Sequence, residues 1–321
     1  MDEFEFIREL LAPLAGAGAR DLTDDAGTLA PPEGMELVAT ADVLVAGVHF
    51  RAADPIETVA HKALAVNVSD LIAKGAEPQS YLLSVVWPRG MSLDEKRKFV
   101  AGLSTAQELF GVALLGGDTT AADGPLTLAV TALGLVPKSE FVPRSGAKVG
   151  DVVFVTGAIG DGGLGLRAAE SALGALSDED RAYLVEQYQC PKPVPALAEA
   201  LRRRATAAID VSDGLLADAG HVARTSGVRL RIDAEAIPLS AAGTAWRDCQ
   251  PNAARAVAEL ATSGDDYEVM FCGPEAIGEE IASASDVRVS RIGTVVKGEG
   301  AVLIDAAGGE IEITRPGFVH F

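Results

Sequence analysis

Residues Ile209 to Gly214 read Ile-Asp-Val-Ser-Asp-Gly, so two carboxylates flank one hydroxyl and a glycine follows at once. Acids recur in comparable places. Asp70 closes Val68-Ser69-Asp70, Asp118 follows Gly116-Gly117, Asp24 and Asp25 are adjacent, and Gly264-Asp265-Asp266-Tyr267-Glu268 forms a second acidic turn. A single acid at a strand-to-helix turn is explained as a helix cap, and Ser212 or Asp213 could serve. Capping does not explain the set. Carboxylates at the ends of several apolar runs are the donors that hard divalent cations take, and magnesium shares such donors with substrate phosphates. The chemistry this points to is phosphoryl transfer by positioning and electrostatics, without a covalent enzyme intermediate.

Composition narrows the options. The 321 residues suggest two domains, and 48% hydrophobic residues are enough for a core in each. The formal net charge of −19 argues against general nucleic-acid binding, which needs a basic surface. It would also repel a phosphorylated substrate unless metal ions intervened. Cys190, Cys249 and Cys272 are scattered and form no CxxC pair, so neither a zinc site nor a disulfide framework is indicated, and a cytoplasmic location is expected. The acidic start lacks the features of a signal peptide, and no apolar run approaches the ~18 residues of a membrane span.

The elements that must position these acids follow from periodicity and punctuation. Glu3 to Leu14 reads as one amphipathic helix with Phe4, Ile7, Leu10, Leu11 and Leu14 on a side. Glu36 to Asp42 reads as a strand that runs into the apolar stretch before His49 and Phe50. A helix from Pro55 carries Asn67 and Asp70 on one face and ends at Gly75 and Pro78. Gln79 to Trp87 is a strand, Ser92 caps a helix to about Leu109, and Val112 to Leu115 is a strand ending in the Gly116-Gly117-Asp118 turn. Leu126 to Val136 is a further strand. Pro137 to Gly150 reads as a linker, with the boundary at 147/148, and Arg144 there is either a solvated cation or a phosphate clamp.

In the second half, Gly160, Gly162 and Gly165 spell GxGxxG after the strand Asp151 to Thr156. No second strand ends in an acid about 20 residues on, so a dinucleotide site is not expected, and no GxxxxGK[ST] loop exists. Strands are expected at Thr206 to Ile209, Val228 to Ile232, Val269 to Cys272 and Val287 to Val296, with a helix from Leu215 to Thr225 stopped by Gly227. The tail from Arg315 to Phe321 is either disordered or places Phe318 to stack on an aromatic ligand. Ala65 to Asp70 echoes Ala208 to Asp213, which would fit related acidic turns facing one cleft.

The ordered set of Asp24-Asp25, Thr40-Ala41-Asp42, Leu44 to Phe50, Lys62 to Asp70, Gly116 to Thr120, Arg144 to Ala147, Ile209 to Gly214 and Gly264 to Glu268 resembles the thiamine-monophosphate kinase family along nearly the whole chain. The resemblance implies an α/β (α+β) chain with the two-domain PurM-like fold shared with aminoimidazole ribonucleotide synthetase. Residues 1–147 would bind ATP and magnesium and form the dimer sheet; residues 148–321 would form an α/β domain completing the active-site cleft. The implied reaction is ATP plus thiamine monophosphate giving ADP plus thiamine diphosphate, in a homodimer with no nucleic-acid or membrane partner.

Carried over by motif, Asp25, Thr40, Asp42, Asp70, Asp118, Asp210 and Asp213 would hold several Mg2+ ions. Gly117, Asp118, Arg144 and Ser212 would contact ATP, and His49, Asp265 and Phe318 would contact thiamine monophosphate. The chain departs from the family pattern at Thr23, where glycine is usual, at Ala41, where threonine is usual, and at Asp265, where glutamate is usual. The Ala41 departure implies a lost side-chain metal contact. Rivals of the same fold are aminoimidazole ribonucleotide synthetase and selenophosphate synthetase, the latter disfavoured because no cysteine precedes Cys190. A non-catalytic nucleotide or thiamine diphosphate binder is the rival from a different class.

Overall fold

The computed structural model describes residues 2–174 and 176–319, which divide into two compact units. One comprises residues up to 72 with 76–139, the other 73–75 with 140–321. By contacts the division falls at Ser139/Glu140, ahead of the expected 147/148, because the segment between packs on the second unit. The Ala208 amide donates to the Pro143 carbonyl at 3.0 Å, and the Gly146 and Ala147 amides donate to Ser226 Oγ at 3.1 and 3.2 Å.

The first unit opens with α1 (Glu3–Phe6), which does not continue as one helix to Leu14. A π turn follows over Ile7–Leu11 and a 3-10 turn over Ala12–Leu14. Pro13 has no amide hydrogen to continue an α ladder. Phe6 and Leu14 are buried, while Phe4 is 77% exposed. Strand β1 (Met35–Val45) is followed by α2 (Ile56–Ala73), β2 (Glu77–Pro88), α3 (Leu93–Phe110), β3 (Ala113–Ala122) and β4 (Thr127–Pro137). Ser92 and Glu95 close a reciprocal capping box on α3, and Gly111 ends it at φ 68°. Helix α2 is buried nearly all round, with Lys62, Asn67 and Ser69 inside as well as its apolar residues. It behaves as a central helix rather than a one-faced one. Gly75 ends the turn after it, whereas Pro78 lies within β2 opposite Gly134.

These strands form a sheet in the order β1-β4-β2-β3, antiparallel except for β2 with β3. Period-2 alternation gives the sheet two different faces. On one, Leu37, Val43 and Leu82 are exposed at 47, 54 and 38%, and Ala39 and Ala41 lie between them on β1. The register runs Ala41–Thr131–Leu82 and Val43–Ala129–Ser84, so this face, apolar apart from Thr131 and Ser84, spans three strands.

The second unit contains β5 (Val152–Thr156), α4 (Asp161–Ala169), α5 (Asp178–Gln189), α6 (Ala196–Leu201), β6 (Ala207–Val211), α7 (Leu215–Ser226), β7 (Arg229–Asp233), α8 (Ala241–Asp248), α9 (Ala253–Ala261), β8 (Glu268–Gly273), α10 (Ile277–Ser285), β9 (Val289–Val296) and β10 (Gly300–Ile304). Its sheet order is β10-β7-β9-β5-β8-β6, and only β10 with β7 is parallel. Strands β5 and β6 are buried at every residue, and their apolar side chains join α7 and α9 in one core. The sequence echo has no structural counterpart: Ala65 to Asp70 lie in α2, while Ala208 to Asp213 run from β6 into a loop. No helix among the described residues is long and apolar enough to cross a membrane.

Candidate active site

In the first unit, β1 turns Thr40 and Asp42 to the side where α2 presents Asp70. Thr40 Oγ1 donates to Asp70 Oδ2 at 2.5 Å. Burial, and then the nearby Asp70 charge, pushes the Asp42 carboxyl up to about 6. Ala41 is exposed on the opposite face, so a side chain there points away from Thr40 and Asp42. Its departure from the family pattern therefore removes no side-chain donor from this group. Asn67 is fully buried and donates to the Ala63 carbonyl at 3.0 Å, so it serves the core of α2.

The Gly116-Gly117-Asp118 segment is not a turn after a strand. β3 runs straight through it, paired to β2. A Cβ on Gly117, where φ is 158°, would lie 1.9 Å from the Leu83 carbonyl oxygen, so the close approach of β2 demands glycine there. Asp118 is exposed and accepts from the Thr119 amide at 2.9 Å. Asp24, Asp25, Gly117 and Asp118 line one hollow of 260 Å³ over Phe6, Trp87 and Phe99. The first unit thus brings Asp25 to Asp118 and, separately, Asp42 to Asp70. His49 is half-buried just beyond β1, and its Nδ1 accepts from the Val45 amide at 3.0 Å. That bond leaves Nε2 to carry the proton of the neutral ring.

In the second unit, Asp210 is buried near the end of β6 at 3% exposure. The loop beyond it is not capped by Ser212 or Asp213. Gly214 is the N-cap of α7 and makes no side-chain cap bond. Asp218, one turn into the helix, reaches back instead, and its Oδ2 accepts from the Ser212 and Asp213 amides at 3.1 Å each. Burial, and then Asp213, pushes the Asp218 carboxyl up to about 7. Among the described residues, Asp213, Asp218 and His221 bring carboxylate oxygens and a ring nitrogen within 4.8 Å of one another. His221 contacts Arg224 at 2.5 Å, and burial with the charges of Arg224 and Arg144 lowers its pKa. Arg144 therefore belongs to the surroundings of this loop and not to a free linker.

The second acidic turn docks on the same loop. The Asp265 amide donates to the Ser212 carbonyl at 2.9 Å and the Tyr267 amide to the Val211 carbonyl at 2.8 Å. Asp265 and Tyr267 hold left-handed backbone, at φ 71° and 52°, and Tyr267 Oη donates to Asp265 Oδ1 at 2.9 Å. Asp266 accepts from the Gly160 and Gly162 amides at 2.8 and 3.0 Å. A Cβ on Gly162 would lie 2.2 Å from the Asp265 carbonyl oxygen. The GxGxxG spelling thus makes a seat for the acidic turn.

Asp265, Asp266, Glu268 and Asp161 share the wall of a 510 Å³ cavity with Tyr183 and Arg288. Burial raises the pKa of Asp161, Asp266 and Glu268, Glu268 to about 7. Phe318 is 44% exposed, with its amide donating to the Asp213 carbonyl at 2.9 Å. The rest of the tail, His320 and Phe321, lies outside the described residues.

Sequence reading missed Asp161, Asp218 and His221, and it named Asp266 and Glu268 only as members of the second acidic turn. Asp218 and His221 carried a faint signal, since polar residues three apart share a helix face directly after the Ser212-Asp213 loop. The partners of Asp161 and Asp266 are distant in sequence and left no such sign.

Family models for AIR synthase related protein match the chain twice, the N-terminal domain over residues 23–136 and the C-terminal domain over residues 148–306. A thiamine-monophosphate kinase of Caulobacter vibrioides is 45% identical over 99% of this chain and 90% of its own length. The chain belongs to the thiamine-monophosphate kinase family. It is thereby an enzyme of the kinase class, with the two-domain α/β fold expected of that family. A thiamine-monophosphate kinase of Escherichia coli K12 is 38% identical over 78% of this chain and 75% of its own length. The solved thiamine-monophosphate kinase of Stenotrophomonas maltophilia K279a superposes with a TM-score of 0.80 at 37% identity, covering 88% of this chain and 89% of that one. A structure described as "AaThiL complexed with AMPPCP and TMP" also gives 0.80, at 29% identity, covering 99% of this chain and 97% of that one.

The donors of the Thr40–Asp42–Asp70 group are hard oxygens, and burial with the Asp70 charge raises the Asp42 carboxyl, which fits a divalent cation of the magnesium type. The linkage to stability has a definite sign. The folded Asp42 carboxyl titrates near 6 against an ordinary 3.8, so its contribution is full below about pH 4 and is lost as pH rises through 6. Without divalent metal, the melting temperature of Asp42→Asn should fall less than that of the parent between about pH 4 and pH 7. An equal or steeper fall in thermal melts would contradict the shift.

Proposed function

We propose that the enzyme transfers the γ-phosphoryl group of ATP directly to thiamine monophosphate, giving thiamine diphosphate and ADP, in a magnesium-dependent reaction without a phosphoenzyme. The observation that carries this reading is the Thr40–Asp42–Asp70 group, an oxygen-only donor set whose acids repel one another until a cation neutralises them. A relative of known structure binds, by its description, an ATP analogue together with TMP.

Asp25, Thr40, Asp42, Asp70, Asp118, Asp210 and Asp213 would hold the magnesium ions. When bound, such ions neutralise phosphoryl oxygens and the charge that spreads during transfer. Gly117, Asp118, Arg144 and Ser212 would bind ATP. Arg144 offers a planar fork suited to a phosphate, and the Ser212 hydroxyl leaves the rim of the loop pinned by Asp218. His49, Asp265 and Phe318 would bind thiamine monophosphate, with the exposed Phe318 ring offering an aromatic face. Asp265 is one methylene shorter than the family's usual glutamate, which bears on affinity more than on reaction type.

The proposed homodimer is supported by the exposed apolar residues on one face of the first unit's sheet, where Leu37, Ala39, Ala41, Val43 and Leu82 would meet a second copy. Burying such a face is favourable at roughly 25 cal/mol per Å² of apolar area.

Protein, magnesium, ATP and thiamine monophosphate should yield ADP and thiamine diphosphate in equal amounts, with no phosphorylated residue trapped during turnover. Binding without ADP release would leave only a non-catalytic binder. Asp213→Ala should lower kcat by at least about 10²-fold with an unchanged circular dichroism spectrum, and near-parental turnover would refute its place in the metal set. Light scattering should give a dimer for the parent and a monomer for Val43→Asp combined with Leu82→Asp. A monomeric parent at micromolar concentration would overturn the assignment of this face.

A further inference from the structure

The Ser212-Asp213 loop is pinned on both sides. Its carbonyls are taken by neighbours: Ser212 accepts from the Asp265 amide and Asp213 from the Phe318 amide, at 2.9 Å each. Its amides are taken by one side chain, Asp218, whose Oδ2 accepts from Ser212 and Asp213. Asp218 is 3% exposed, so no bulk water replaces those bonds if the carboxylate is removed. The N-cap Gly214, at φ 121°, offers no side chain for the task and leaves the loop flexible if nothing else holds it. Asp218 lies five positions after Asp213, in the first turns of α7, and from there its side chain reaches back to the loop.

We propose that Asp218 is a positioning residue for phosphoryl transfer: its carboxylate oxygen fixes the Ser212–Asp213 backbone and thereby aims both side chains. Its Oδ2 is taken by the two loop amides, and since Asp218 also lies within 4.8 Å of Asp213 and His221, a metal-ligand role is the alternative the test excludes. The inference rests on the reading of Ser212 and Asp213 as ATP and metal contacts, and it adds a residue that touches neither. A site held by such bonds loses rate steeply when displaced, since a misplacement of about 1 Å can cost on the order of 10²-fold.

The test compares Asp218→Asn with Asp218→Ala in the full chain. Asn keeps one acceptor oxygen for the two amides and loses the charge; Ala loses both. Asp218→Ala should lose about 10²-fold in kcat with little change in KM for thiamine monophosphate. Asp218→Asn should recover most of that loss, with its magnesium midpoint close to the parent's. Hydrogen exchange supplies a readout that needs no turnover: the amides of Ser212 and Asp213 should exchange faster in Asp218→Ala and near the parental rate in Asp218→Asn.

Equal impairment of the two variants, or a tenfold shift of the magnesium midpoint in Asp218→Asn, would make the charge itself the active feature and overturn the positioning role. Parental kcat in Asp218→Ala would do the same. If Asp218→Ala does not fold, slowed turnover with parental Ser212 and Asp213 exchange in folded Asp218→Asn would likewise overturn it, and parental turnover with parental exchange would support it. If the parent itself makes no ADP, the kinase reading fails, while the exchange comparison still decides whether Asp218 holds the loop.

Discussion

Like charges held at close range govern this molecule. Asp42 lies near Asp70, and Asp213 near Asp218, each pair partly or wholly removed from water. Charge crowding of this kind disfavours the ionised state unless hydrogen bonds or a cation compensate. In the second unit the compensation is visible, because backbone amides point at Asp218 and Asp266. In the first unit, Thr40 supplies one hydroxyl to Asp70. The remaining deficit favours a divalent ion at an oxygen-only donor set, and under the proposed metal-dependent reaction such ions would let an enzyme with a net charge of −19 accept phosphorylated reactants.

The scaffold is arranged to hold that crowding still. β1 lies in a paired sheet and α2 is buried nearly all round, so neither Asp42 nor Asp70 can drift apart cheaply. In the second unit the acidic turn, the Asp210 loop and the tail close on one another through main-chain bonds from Asp265, Tyr267 and Phe318. Left-handed backbone at Asp265 and Tyr267 is the strain this arrangement tolerates. Glycines in the Gly160 segment give the turn room to seat, so a pattern usually read as a nucleotide fingerprint here serves protein packing.

Much of this was legible in the residues. The alternation of strands and helices, the Ser92 and Gly111 signals around α3, and Asp210 at the end of a buried strand all follow from local chemistry. Other features were not legible because tertiary contacts decide them. β3 runs through Gly116 and Gly117 because its pairing with β2 outweighs the low strand preference of glycine. The first helix gives way to a π turn after Phe6, ahead of Pro13, and Phe6 rather than Phe4 turns inward. The echo between Ala65–Asp70 and Ala208–Asp213 fails because six residues take the structure of their surroundings. No side chain caps α7, since its N-cap Gly214 has none, and Asp218 instead bonds the amides of the loop before the helix. Such roles depend on partners that a single sequence does not pair.

Anomalous diffraction from the enzyme crystallised with manganese and a non-hydrolysable ATP analogue tests the central claim most directly. The account predicts metal peaks about 2.0–2.2 Å from carboxylate oxygens of Asp42, Asp70 and Asp213, with Asp218 still bonded to its amides. Peaks absent from those three residues, or an ion bound instead among the acids around Asp266 and Glu268, would contradict it.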